Sequence, residues 1–184
     1  MKKILSICTI AIGLLSFNAA LAQEKTVMVG GAPMYPSKDI VDNAVNSKDH
    51  TTLVAAVKAA GLVETLKTDG PFTVFAPVNS AFDKLPAGTV ETLLKPENKA
   101  KLIAVLTYHV VAGKFDAAAI AKKINDGQGK ATFTTVQGGK LTASMEKGKV
   151  KLTDENGGIA YVSTKDVYQK NGVIHVIDTV VLPK

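Results

Sequence analysis

Gly70-Pro71-Phe72-Thr73-Val74-Phe75-Ala76-Pro77-Val78-Asn79-Ser80-Ala81-Phe82 carries the strongest architectural signal in this chain. Residues 72–76 are uncharged and rich in aromatic and branched side chains; they follow the turn signal Asp69-Gly70-Pro71 and stop at Pro77. That combination predicts a buried strand, with a strand-to-helix transition after it.

On the N-terminal side the pattern is helical. Ser37 can cap a helix with Ile40, Val41, Ala44 and Val45 at helical spacing, and Thr51 or Thr52 can cap a second one carrying Leu53, Val54 and Val57 and ended by Gly61. Leu62, Val63 and Leu66 predict one further short turn of helix. On the C-terminal side Val90, Leu93 and Leu94 share a face, and residues 96–107 open on a proline and group Leu102, Ile103 and Leu106. Residues 108–111 then read as a strand, and Asp116 caps a helix that sets Ile120 and Ile124 on one side.

From Ala131 onward the period becomes two. Leu141, Ala143 and Met145 alternate with polar residues, as do Val150 and Leu152, with turns at Gly138-Gly139 and Lys147-Gly148. Further strands are expected over 159–163 and 173–182. Helices in the first half and strands in the second predict an α+β fold and argue against repeated βαβ units.

The chain has 184 residues, a formal charge of +6 and no arginine, so the bidentate fork that serves phosphate and base recognition best is missing and no nucleic-acid partner is expected. Lys2 and Lys3 precede an apolar run from Ile4 to Leu15 and the small-residue ending Ala20-Leu21-Ala22, which predicts a signal peptide over 1–22. Cleavage there removes two lysines and leaves +4; it also removes Cys8, the sole cysteine, so no thiol or disulfide is expected in the exported chain. The compartment is then periplasmic or extracellular. Residues 23–36, with Gly30-Gly31, Pro33 and Pro36, read as a leader without regular period, and the domain is expected over 37–184.

Three stretches carry a resemblance to the fasciclin domain family. Residues 70–82 resemble its first signature box, Asn171-Gly172-Val173-Ile174-His175-Val176-Ile177-Asp178 through Pro183 its second, and Tyr108-His109 the tyrosine-histidine pair between them. Val78-Asn79 stands where the family commonly has Thr-Asp or Thr-Asn. The resemblance implies a β-wedge of two small sheets with helices packed on it. It also implies adhesion or surface binding without a cofactor, with Phe72, Thr73, Phe75, Ala76, Pro77, Asn79, Phe82, Tyr108, His109, Asn171, Gly172, His175 and Asp178 as structural motif residues. The partner-binding candidate is Lys165-Asp166-Val167, which precedes Asn171-Gly172 by the spacing of the Asp-Ile core of integrin-binding motifs in animal members.

The same residues admit blander roles. Val167 can anchor a loop in the core while Asp166 accepts backbone N–H bonds. His109, His175, Asp178, Ser80 and Tyr108 supply the side chains of a triad, but Ser80 lacks the Gly-x-Ser-x-Gly elbow, so no catalytic residue is assigned. His175 is expected at a sheet position and His50 in solvent. The three histidines lack zinc-ligand spacing, so no metal is expected. Lys147, Lys149 and Lys151 are expected on one solvated or edge-protecting face.

The reading is thus a monomeric, non-enzymatic binder of a cell-surface or matrix protein or polysaccharide, with at most peripheral membrane contact. The alternatives are a secreted hydrolase using His109 or His175, and a polysaccharide or lipid carrier. The first requires an exposed imidazole beside a nucleophile, the second an apolar cavity or an aromatic platform, for which Tyr35, Tyr161 and Tyr168 are the available rings.

Overall fold

The computed structural model describes residues 25–184, so the expected signal peptide and Cys8 lie outside the described residues. In chain order the elements are β1 (Val27–Val29), β2 (Ala32–Met34), α1 (Ile40–Ala44), α2 (Thr51–Ala60), α3 (Val63–Lys67), β3 (Phe72–Pro77), α4 (Asn79–Phe82), α5 (Thr89–Leu94), α6 (Lys99–Tyr108) and β4 (Val110–Ala112). They continue with α7 (Ala117–Asp126), β5 (Lys130–Thr134), β6 (Lys140–Glu146), β7 (Lys149–Thr153), β8 (Ile159–Gln169) and β9 (Gly172–Ile177). Short 3₁₀ turns occupy Lys48–His50 and Pro96–Asn98.

Seven strands run in the order β4-β3-β9-β8-β7-β6-β5. The long β8 belongs to two sheets at once. Its first residues pair with β7, from Thr153↔Ile159 to Lys151↔Tyr161, and from Val162 onward it pairs with β9, with two irregularities in register. The sheets diverge there and form a wedge, whose far edge is drawn together by the bridge Val111↔Thr135 and by the Val136 N–H donating to the Val110 carbonyl at 2.7 Å. The α+β class is the one that the sequence pattern predicts, and the wedge of two sheets is what the family resemblance implies.

The first signature stretch and the second form the central pair: β3 and β9 run parallel, from Phe72↔Gly172 to Pro77↔Ile177. Both strands are covered on both faces, which explains why neither alternates in hydropathy. Phe75 and Ile177 enter the wedge interior with Tyr108, Ile120, Ile124, Phe133, Leu141 and Leu152. Val74, Ala76, Ile174 and Val176 enter a second core on the opposite face. A third cluster joins α2 to α6 through Ala56, Val57, Ala60, Leu102 and Leu106. Burying a side chain of this size contributes about 1.5–3 kcal/mol, so strands that are covered on both faces are the most heavily stabilised part of the molecule.

The structure differs from the sequence reading in several places. The supposed leader contains the β1–β2 hairpin, whose Val29, Ala32 and Met34 help to build the second core. Gly30 in its turn has φ +59°, and a Cβ there would collide with the Ser47 hydroxyl, so the turn lies directly on the 47–49 backbone. Asp39, not Ser37, caps α1, accepting from the Asp42 N–H at 2.7 Å. His50, expected in solvent, is 3% exposed. The strand begun at Ile159 runs on to Gln169, because a bulge with Asp166 at φ +59° breaks its alternation without ending its pairing. The final strand stops at Ile177, not at 182, where the Asp178 side chain accepts the Tyr161 N–H at 2.8 Å.

Candidate functional site

Most polar residues of the signature stretches act as internal staples. Thr73 donates its hydroxyl proton to the Gly113 carbonyl at 2.7 Å and accepts the Phe115 N–H at 2.8 Å, pinning the loop between β4 and α7. The Asn79 amide oxygen accepts from the Thr52 N–H at 3.1 Å and the Thr51 hydroxyl at 3.2 Å, and its amide nitrogen donates to the Lys48 carbonyl at 2.8 Å. It caps α2 from a distant part of the chain, where the sequence offers Thr51 or Thr52 for that role. Asn171 accepts the Ile40 N–H at 3.1 Å and donates to the carbonyls of Leu66 and Thr68 at 2.7 and 3.0 Å, tying α1 and α3 to the start of β9. Phe72 packs partly buried on the second core, Ala76 and Pro77 are buried, and Phe82 is half-buried.

The two motif imidazoles are similarly engaged. His109 Nδ1 lies 2.8 Å from the Val105 carbonyl, which accepts its proton, and Nε2 accepts the Val181 N–H at 3.3 Å. Burial holds its pKa down at about 4, so the ring is neutral. His175 donates from Nε2 to the Phe115 carbonyl at 2.8 Å, its Nδ1 receives the Asp166 N–H at 3.4 Å, and its ring stacks on Phe75 with centroids 5.8 Å apart. Burial lowers its pKa too. Tyr108 donates to the Lys140 carbonyl at 2.6 Å and accepts the Glu155 N–H at 3.3 Å, with its pKa raised chiefly by burial. Ser80 is exposed on α4, and neither motif imidazole bonds to a hydroxyl or carboxylate.

One pair escaped the sequence reading: Ser47 Oγ and His50 Nδ1 are 2.9 Å apart, both residues are buried, and burial lowers the His50 pKa. The spacing of Ser47 three residues before His50, in Ser47-Lys48-Asp49-His50, is the available signal. No group of three or more metal-ligating side chains occurs among the described residues.

At Lys165-Asp166-Val167 the three side chains part company. Val167 is 1% exposed and belongs to the second core. Asp166 is half-buried, and its Oδ1 accepts the Ala117 N–H at 2.6 Å at the first turn of α7, beside Asp116, whose Oδ1 accepts from Ala119 at 2.8 Å. Lys165 is exposed. It stands on a groove of 460 Å³ at the mouth of the wedge, floored by Ala117, Ala118 and Ala121 of α7 and flanked by Lys149 and Val150 of β7 and by Val162, Ser163 and Asp166 of β8. Of the three lysines expected on one face, Lys149 and Lys151 do share the outward face of β7, opposite buried Val150 and Leu152; Lys147 turns the hairpin at φ +49°, Lys149 lies at the rim of the groove, and Lys151 pairs with Glu146 at 3.1 Å. The groove could not be read from the sequence, since it exists only where the two sheets separate.

A second opening, of 80 Å³, lies between the helices and β3 and is lined mainly by leucines and valines of α1, α2 and α3 with Leu106 and Val110. It is well below the ~300–1,000 Å³ of ligand pockets. Tyr35 and Tyr168 are partly exposed but engage Lys38 and Lys114 through their ring faces, and the Tyr161 hydroxyl donates to Glu146 at 2.7 Å.

Comparison with known proteins places this geometry. The Fasciclin domain model matches residues 48–183. The chain is 49% identical over 160 residues to Protein sll1483 of Synechocystis sp., covering 87% of this chain and 82% of that one. It is 36% identical over 146 residues to cell surface glycolipoprotein MPB83 of Mycobacterium bovis, covering 76% and 58% respectively. The solved FAS1 domain pair of the insect cell adhesion molecule Fasciclin I matches with a TM-score of 0.69 at 18% identity, over 87% of this chain and 58% of that one, a likeness of fold.

Proposed function

This chain belongs to the fasciclin domain family, and on that premise we propose that it is an extracytoplasmic, monomeric recognition module that binds a cell-surface or matrix component. The reading is carried by the groove at the wedge mouth: it is within the size range of ligand sites, and Lys165 and Lys149 on its rim are free of ion pairs among the described residues. The family's association with surface proteins supports it, as does the relative named for the cell surface. Among the described residues no helix is long and apolar enough to cross a membrane.

The hydrolase alternative has no comparable support. A catalytic imidazole must reach a nucleophile and a substrate, whereas His109 and His175 are buried and give both ring nitrogens to the backbone. Recognition through one shallow groove is weak, and useful adhesion then needs many copies on a surface.

Retention of envelope and matrix fractions on beads bearing many copies of the exported chain tests the proposal. Wild-type beads retain material that is released by rising salt, and Lys165→Glu beads retain less at an unchanged melting temperature. Equal retention by the two would remove the groove from the function.

A further inference from the structure

We propose that the wedge mouth accepts an extended, acidic peptide segment of a partner protein as an added strand, which rests on the recognition reading and names its ligand class. The backbone shows why. Pairing of β7 with β8 ends at Lys151↔Tyr161, and the next positions in that register, Val150 opposite Val162 and Lys149 opposite Ser163, are not paired. From Val162 to Gln169, β8 has β9 on one side and, among the described residues, no strand on the other. Two strand edges therefore flank one groove, the arrangement by which sheet edges capture extended peptides.

Size and floor agree with a strand. A strand residue between layers fills roughly 3.3 × 4.8 × 10 Å, about 160 Å³, so 460 Å³ admits about three residues. Ala117, Ala118 and Ala121 keep the floor low enough for a backbone to lie on it. Charge selects the occupant. Lys149 and Lys165 are exposed and have no acidic partner among the described residues. The only carboxylate in the lining, Asp166, is already bonded to the Ala117 N–H at 2.6 Å. A peptide alternating glutamate or aspartate with apolar residues would satisfy both edges and both lysines. A polysaccharide fits less well, because the lining contains no aromatic ring on which a sugar could stack.

The test uses the ¹⁵N-labelled chain and the peptide acetyl-Glu-Val-Glu-Val-Glu-Val-Glu-amide. Saturating peptide should slow amide exchange at residues 163–165 and 149–150 by tenfold or more. N-methylation of the peptide's valines should abolish the effect, and the Lys149→Glu, Lys165→Glu double variant should weaken binding about tenfold at an unchanged melting temperature. Binding undiminished by N-methylation, protection confined to other amides, or equal protection of these amides by polygalacturonate would each overturn the proposal. Retention of envelope material by wild-type beads without peptide binding would sink the added strand alone; loss of both would sink the recognition reading as well.

Discussion

Asp166 and Ala117 are joined across 49 residues by a 2.6 Å hydrogen bond in which the carboxylate accepts the backbone N–H at the start of α7. The residue that the family resemblance offers as a ligand for a partner is thus also a helix cap, held at φ +59° where a side chain other than Asn, Asp or Gly is strained. Asp166→Ala should cost about 2–3 kcal/mol, the lost cap and the left-handed backbone acting together, and Asp166→Asn less than about 1 kcal/mol. Urea midpoints at constant m-value measure both. An alanine variant as stable as wild type would show that the cap contributes nothing.

Asn79 caps α2 through the Thr52 N–H at 3.1 Å. Asn79→Ala should lower stability by about 1–2 kcal/mol and accelerate amide exchange in the first turn of α2 more than in α6. Uniform acceleration throughout the chain would assign its effect to global stability without a local cap.

The pH dependence follows from the buried imidazoles. Burial lowers the His109 pKa from its ordinary 6.5 to about 4, so between these values the unfolded chain binds a proton that the folded chain refuses. Stability is complete above about pH 6.5, falls as the pH drops, and levels off near 4, a loss of about 3 kcal/mol. His175 and His50, also lowered by burial, act in the same direction. Denaturant midpoints across pH 4–8, with the His109 ring followed by NMR, check the sign: midpoints flat from pH 7 to 4 contradict it.

Gly172 opens β9 directly against Phe72, and a Cβ there would collide with the Phe72 carbonyl oxygen. Gly172→Ala should cost more than about 3 kcal/mol by forcing β3 and β9 apart at the first position of their register. Thermal unfolding measures it, and a shift under 3 °C would mean that the strands separate at little cost.

Local signals made the two central strands, the Asp116 cap and the Lys147-Gly148 turn legible in the sequence, because each is decided by neighbours within a few residues. The hairpin at 27–34 was also there to be read, in Val27, Val29, Ala32 and Met34 alternating around Gly30-Gly31, but its prolines and glycines suggested disorder of period. The trans cap of Asn79 and the three-way staple of Asn171 were not legible, since the partners lie up to 131 residues away. His50 is buried by a hairpin and a strand that local pattern does not bring to it. Of the candidate site, residues 165–167 could be located but not oriented: the positive φ at Asp166 sends Val167 inward and leaves Lys165 outside.

The parallel partnership of Phe72 with Gly172 sets a schedule for biogenesis. A chain emerging from its N-terminal end displays β3 a hundred residues before the strand that covers it, so every earlier stage leaves a sticky apolar ribbon without its mate. High contact order of this kind slows folding and lengthens exposure to aggregation. Ribosome- or translocon-tethered fragments ending before residue 172 should therefore need holdase protection that fragments reaching residue 184 do not.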